Sequence, residues 1–350
     1  GRQTMKHQET SIYTIAEDAG VSIATVSRVI NQIPSVSEKN RQKVLASIKK
    51  FNYIPNVSAR NLSTSRTTSV GVFVPDISNR YFMQLLRGIT KEADELGYNI
   101  VLFDTANDVM RERKLLDSAR ELRLCGIIIA PVSYIGWINI QKMKDLEAFG
   151  IPIVLMDREL IVDEFDRVVS TDEEGSFQAV SELICLGHQK IALISGPETV
   201  YNVCKRMNGY YNAMRAAGIM VREEYIRKGD FTVDTAYHEA MILCRLPDPP
   251  TAIFSFNYDT TYGCLKAFAE LNLRVGEDIA LIGFDDIEEL EHLHYNITVV
   301  SRDAPHMGRL AVRQLSKRIT LEETKKETTT AFVETELILR GSEKYPLRTV

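Results

Sequence analysis

Tryptophan occurs once and cysteine five times in the 350 residues, and no apolar run approaches the ~18 residues that a membrane span needs. The cysteines (Cys125, Cys185, Cys204, Cys244 and Cys264) are odd in number and form no C-x-x-C pair. That pattern fits reduced cytosolic thiols better than a disulfide frame or a zinc site. The first thirty residues show no basic stretch ahead of an apolar core, so no secretory signal is expected and a cytoplasmic location is read. Also missing are G-x-x-x-x-G-K-[ST], G-x-G-x-x-G after a strand, G-x-S-x-G and H-E-x-x-H. No enzyme, metal or cofactor is therefore expected. What is present is 45% hydrophobic and 25% charged, an ordinary globular balance, in a chain too long for one core.

The formal net charge of −5 conceals an asymmetry. Residues 1–66 hold ten Lys or Arg against four Asp or Glu, leaving 32 basic and 43 acidic residues for the other 284. A positive head on a negative body suggests that the head alone meets a polyanion, although a solvated basic tail has the same charge.

Within the head, Ser11 can cap a helix from Ile12 to Ala19, which Gly20 can close. Ser22 can cap a second from Ile23 to about Asn31, with Val26, Val29 and Ile30 inward and Ile23, Ala24, Ser27 and Arg28 outward. Beyond Pro34, Ser37 can cap a third, with Val44, Leu45 and Ile48 inward and Arg41, Lys43, Lys49 and Lys50 outward. Two short helices around Gly20-Val21-Ser22 make a helix-turn-helix, whose second helix would enter the major groove of DNA. A helical bundle for protein contacts is the alternative.

From residue 69 the pattern becomes strand and helix in alternation. Val70–Val74, Ile100–Phe103, Gly126–Ala130 and Ile153–Met156 read as strands, with a helix from about Phe82 to Leu96. After residue 166 come helix 174–186, strand Ile191–Ser195, helices 204–217 and 233–244, strand Ala252–Ser255, helix 260–271 and strand Ile279–Gly283. Short, uniformly apolar strands between helices predict parallel sheets covered on both faces, and two such runs predict two doubly wound lobes in an α/β body. Ligands of such sheets bind beyond the carboxyl ends of the strands. The positions there are Asn79 to Phe82, Asp104, Asp157, Arg158, Arg206, Phe231, Asn257, Asp285 and Asp286, a set suited to a polyhydroxylated ligand. Each also has a duller reading: Asp157 and Arg158 as a surface ion pair, Phe231 as core, Asp285 as a helix cap.

The run Tyr13-Thr14-Ile15-Ala16-Glu17-Asp18-Ala19-Gly20-Val21-Ser22-Ile23-Ala24-Thr25-Val26-Ser27-Arg28-Val29-Ile30-Asn31 resembles the headpiece of the LacI/GalR (lactose/galactose repressor) family. Asn52-Tyr53-Ile54-Pro55-Asn56, then Ala59-Arg60 and Leu62, continue the likeness, and Gly187-His188-Gln189-Lys190, Arg206-Met207-Asn208-Gly209-Tyr210 and Ile282-Gly283-Phe284-Asp285-Asp286 extend it over nearly the whole chain. The resemblance implies a two-lobed body like the periplasmic binding proteins, with an all-α helix-turn-helix domain at residues 1–55 and a hinge helix and linker at 56–66. The lobes are expected at 67–166 plus 298–328 and at 167–297 plus 329–350. It further implies DNA contacts from Tyr13, Ser22, Ile23, Ala24, Thr25, Ser27, Arg28 and Asn31, and from Asn56, Ala59, Arg60 and Leu62 of the hinge. Arg28 is the expected guanine reader, Thr25 and Ser27 are expected at phosphates or the helix backbone, and Leu62 is the expected minor-groove wedge.

In the body, the resemblance makes Arg206 and Asp285 the principal polar ligands of an effector, Phe231 its stacking platform, Tyr81 and Phe82 its wall, and Asp157, Asn202 and Asn257 further polar positions. Arg302 stands where the family commonly has glutamine, which suggests a sugar acid or phosphosugar unless it pairs with Asp303 or Asp157. Val200 stands where purine-responsive members place arginine. The implied function is a transcription regulator, a repressor acting as a homodimer on pseudo-palindromic double-stranded operator DNA, with no membrane partner. A solute-binding protein for carbohydrate uptake is the alternative. Only eight residues follow Ser342, so a dimer is expected and not a tetramer joined by a helical tail.

Overall fold

A computed structural model describes residues 11–30, 33, 35–51, 53, 67–292, 294–320 and 327–344. It divides the chain into two compact units, residues 1–67 and 68–350. The expected hinge positions Asn56, Ala59, Arg60 and Leu62, together with Asn31, lie outside the described residues.

Among its described residues the first unit holds three helices, Ile12–Ala19, Ile23–Ile30 and Glu38–Lys50. Ser11 Oγ accepts from Thr14 N–H, and Gly20, at φ 63°, turns its N–H back onto the carbonyls of Ala16 and Glu17. Ile15, Ala19, Val26, Val29 and Val44 close a core among them. Two expectations for the third helix are corrected. Ser37 supplies no side-chain cap. Leu45 is half exposed, while Ser47 takes the buried position and donates to Asp18 Oδ2 over 2.8 Å. The helix turns its 44, 47, 48 stripe inward, the i, i+3, i+4 spacing of one face.

Among its described residues the second unit holds twelve strands: β1 Ser69–Val74, β2 Asn99–Asp104, β3 Gly126–Ile129, β4 Ile153–Met156, β5 Asp166–Ser170, β6 Ile191–Ile194, β7 Ile226–Arg227, β8 Ala252–Ser255, β9 Ala280–Phe284, β10 Thr298–Arg302, β11 Thr330–Val333 and β12 Thr335–Ile338. They form two six-stranded sheets, ordered β11-β5-β4-β3-β1-β2 and β12-β10-β9-β8-β6-β7. Every pairing is parallel except β10 with β12. The central strands β3, β4, β6, β8 and β9 are buried along their whole length, which is why they read as unbroken apolar runs.

The chain crosses between the sheets three times, and each crossing falls one strand later than the sequence suggests. β5 pairs with β4 in the first sheet, β10 pairs with β9 in the second, and β11 returns to pair with β5 in the first. The expected boundaries at 166, 297 and 328 are corrected accordingly. The charged start of β5, Asp166-Arg167, hid its strand character, because both side chains are buried against partners the sequence does not reveal: Arg318 for Asp166 and Glu159 for Arg167. Helices also start earlier than expected, at Arg80, Asp172, Tyr201 and Tyr258. Asn79 and Asn257 explain two of these starts, since each side-chain oxygen accepts a first-turn N–H, from Tyr81 and Thr260 respectively.

Candidate functional site

In the first unit, the helix Ile23–Ile30 buries Val26 and Val29 and leaves Ile23, Ala24 and Arg28 exposed, as does Ser22 ahead of it. Thr25 and Ser27 are half-buried. Ser22 Oγ accepts from Thr25 N–H at 3.2 Å and lies 2.9 Å from Thr25 Oγ1, so this pair holds the helix start. Tyr13 projects from the first helix at 68% exposure. A short helix with exposed small and basic side chains along one face, braced from behind by a second helix, is the geometry that enters a major groove.

In the second unit, the strand ends of both sheets converge. Asp157 follows β4 of the first sheet and Asp285 follows β9 of the second. Both hold left-handed backbone, φ 68° and 73°, which side-chain-bearing residues adopt only where their surroundings impose it. Arg302 ends β10 and joins them. Its Nη1 donates to Asp157 Oδ1 at 2.6 Å, and its Nε donates to Asp285 Oδ1 at 2.8 Å. Nη1 also reaches Ser170 Oγ at 3.2 Å, and the guanidinium lies 3.8 Å from the centre of the Tyr81 ring. Tyr81 in turn donates to Asp157 Oδ1 over 2.9 Å.

A second arginine completes the cluster. Arg206 Nε donates to Asp172 Oδ2 at 2.8 Å, another of its N–H groups reaches the carbonyl of Phe256, and its guanidinium lies over Phe284. Asn202 Nδ2 bridges the lobes by donating to the Asp157 carbonyl at 3.0 Å and to Asp172 Oδ2 at 3.2 Å. All of these charged groups are buried, each at most 8% exposed. Burial pushes the Asp285 carboxyl up despite Arg302 and Arg206. Burial also opposes ionisation of Asp172, yet Arg206, Arg302 and Ser170 together hold its carboxyl below the usual value. For Arg302 burial favours the neutral form, but Asp285, Tyr81, Asp157 and Asp172 outweigh it, so the guanidinium holds its proton more tightly than usual.

The sequence-expected residues therefore separate into groups. Tyr81, Asp157, Asn202, Arg206, Asp285 and Arg302 meet in one hydrogen-bonded cluster, and Asp157 is no surface ion pair with Arg158. Phe82 lies beneath Arg158, 5.7 Å from its guanidinium. Asn257 spends its carbonyl on capping Tyr258–Glu270 and is otherwise buried at the end of β8. Phe231, at φ 66°, lays its half-buried ring across Gly196 beyond β6, where an added Cβ would sit 2.2 Å from the ring. Sequence reasoning missed Ser170, which ends a strand it did not place, and Asp172 just beyond it, and it read Arg158 as one of the strand-end positions or as a surface ion pair with Asp157. Around the cluster the lobes also touch through Asn79 Nδ2, donating to Asp259 Oδ2 at 3.2 Å, and through an Arg80–Glu289 ion pair. Among the described residues no group of three or more His, Cys, Asp or Glu could hold a metal ion, and no helix is long and apolar enough to cross a membrane.

A helix-turn-helix unit joined to a two-lobed sheet unit with a polar cluster between its lobes defines a DNA-binding regulator with a sensing body. Residues 11–56 match the model for bacterial regulatory proteins of the lacI family, and residues 180–343 match that for the periplasmic binding protein-like domain. The chain is 34% identical over 313 residues to catabolite control protein A of Priestia megaterium, covering 89% of this chain and 93% of that protein. Among solved structures it resembles the lac repressor dimer bound to operator and an anti-inducer, with a TM-score of 0.83 at 27% identity over 96% of this chain and all of that one. It also resembles a complex of the transcriptional regulator CelR with cellobiose, with a TM-score of 0.71 at 29% identity over 95% of this chain and 99% of that one. The chain belongs to the lacI family of bacterial regulatory proteins: it is a DNA-binding transcription regulator and not an enzyme. The match of residues 11–56 to a DNA-binding head removes the solute-uptake alternative.

Proposed function

We propose that the protein is a cytoplasmic repressor that binds a pseudo-palindromic operator as a homodimer and responds to a sugar or sugar derivative held between the lobes. The DNA contacts are assigned to Tyr13, Ser22, Ile23, Ala24, Thr25, Ser27 and Arg28. By resemblance, Asn31, Asn56, Ala59, Arg60 and Leu62 join them. The effector contacts are assigned to Tyr81, Phe82, Asp157, Asn202, Arg206, Phe231, Asn257, Asp285 and Arg302. Solved relatives bound to cellobiose and to operator support both halves of this reading.

One observation carries the effector assignment: Arg302 of the second sheet bonds Asp157 of the first inside a buried cluster at the strand ends. Two lobes that share charged hydrogen bonds have two discrete arrangements, bonded and separated. A ligand that meets one arrangement better shifts the balance, and linkage then requires operator affinity to change by the same factor. Proposed dimer contacts lie on the first lobe, where Met83, Leu102 and Met110 are exposed. The test is a thermal-shift screen of sugars and their acids on the full chain, followed by operator titration with each ligand that raises the melting temperature. A stabilising ligand without effect on operator affinity would remove the reading.

A further inference from the structure

Three arginines meet where the lobes face each other, and two have a carboxylate of their own: Arg302 has Asp285 and Asp157, and Arg206 has Asp172. The third, Arg158, follows the left-handed Asp157 at the end of β4 and is 5% exposed. The one hydrogen bond of its guanidinium among the described residues runs 3.3 Å from Nη1 to the Pro131 carbonyl, and the group stands over Phe82. Among the described residues no carboxylate is close enough to pair with it. The acids that act on it from a distance are already committed. Asp157 accepts from Arg302 and Tyr81, while Glu112 accepts from Val132 N–H at 2.8 Å and from Asn139 Nδ2 at 2.7 Å. Burial draws the Arg158 pKa down to about 10, and the charge of Arg206, from the other lobe, opposes its protonation as well.

A guanidinium carries five donors in a fixed fork that matches the oxygens of a carboxylate or phosphate. Burying one with a single long bond is costly unless something else occupies the fork. We propose that Arg158 is the anion anchor of the cleft, so that the effector is a polyhydroxylated molecule bearing a carboxylate or phosphate group held between Arg158 and Arg206. This rests on the cleft reading above and adds the charge of the ligand. Arg302, the residue that first suggested a charged ligand, is an internal counter-ion for Asp157 and Asp285. The anion would relieve the repulsion between two arginines of opposite lobes, so its binding would draw the lobes together.

The test is a thermal-shift and calorimetric titration of the full chain with glucuronate, gluconate and glucose 6-phosphate beside glucose, and with galacturonate and galactose 6-phosphate beside galactose. At least one acid or phosphate is expected to bind at least tenfold more tightly than its parent hexose. A preference confined to the acids marks a carboxylate ligand, and one confined to the phosphates a phosphate ligand. Arg158→Met should remove that preference and, having lost an uncompensated buried charge, melt no lower than the wild type without ligand. Equal affinities for acid and parent hexose, or a preference that survives in Arg158→Met, overturn the anion anchor and leave the cleft reading standing. A response that survives in Arg206→Ala, or no response to any of these probes, removes the cleft reading with it.

Discussion

Arg302 and Asp157 belong to different sheets, one ending β10 and the other following β4, yet their side chains meet at 2.6 Å in the buried centre of the second unit. Their bond links one lobe directly to the other. Removing one member of a buried pair leaves an uncompensated charge, a loss of roughly 3–5 kcal/mol. Arg302→Ala is expected to destabilise the second unit by that order in urea unfolding at pH 7. The loss should shrink at acid pH, because burial raises the Asp285 carboxyl and protonation then relieves the deserted site. The ion pair between Arg80 and Glu289 is half exposed on both sides, so Arg80→Ala should cost less than about 1 kcal/mol. Equal losses for the two variants would contradict the assignment of the cluster as the closure point.

Arg206 supplies the guanidinium of the second lobe. Its pairing with Asp172 is buried at both ends, so Arg206→Ala should abolish the ligand-induced rise in melting temperature while operator binding persists. Thermal shift with the stabilising ligand, beside an operator gel shift without it, checks both halves.

His188 gives the body a pH dependence of its own. The ring is buried, with Nδ1 2.8 Å from Thr251 Oγ1 and Nε2 3.2 Å from the Glu343 carbonyl, and burial lowers its pKa from 6.5. The unfolded chain therefore binds more protons in the window below pH 6.5. Stability from the neutral ring is complete above that pH and is lost as pH falls toward the folded-state value. The melting temperature should drop between pH 7.5 and 5, and less steeply in His188→Gln. Parallel curves would show that His188 contributes nothing.

The fold was largely legible because its parallel strands are buried on both faces and read as apolar runs. The site was legible wherever a chemistry-bearing residue directly follows such a run, as Asp157 follows Ile153–Met156 and Asp285 follows Ala280–Phe284. Legibility failed where burial was balanced by a distant charge. Asp166 opens a buried strand because Arg318, remote in sequence, lies beside it, and Arg167 follows it inside because Glu159 and Asp163 fold back onto its guanidinium. That hidden strand displaced the first lobe boundary and concealed Ser170 and Asp172. Arg158 failed for the opposite reason: its neighbour Asp157 looks like a partner in sequence but is turned toward Arg302 in space.

Arg28 is the exposed basic residue on the helix assigned to the major groove. Arg28→Ala should cost ~1–3 kcal/mol and relax sequence preference at a single base pair of each half-site. Binding to a set of single-base operator variants, by fluorescence anisotropy, reads this directly. A uniform loss on operator and random DNA would assign Arg28 to a phosphate instead.

Communication between the Arg302 cluster and the DNA-binding head is the core of the proposed regulation. Its most direct measurement is the operator affinity of wild-type, Arg302→Gln and Arg80→Ala full-length chains, taken without ligand at one salt concentration and at a temperature where all three are folded. A change of at least about fivefold for Arg302→Gln is expected, the lower end of allosteric coupling, with Arg80→Ala matching the wild type. Identical affinities for all three would contradict the account.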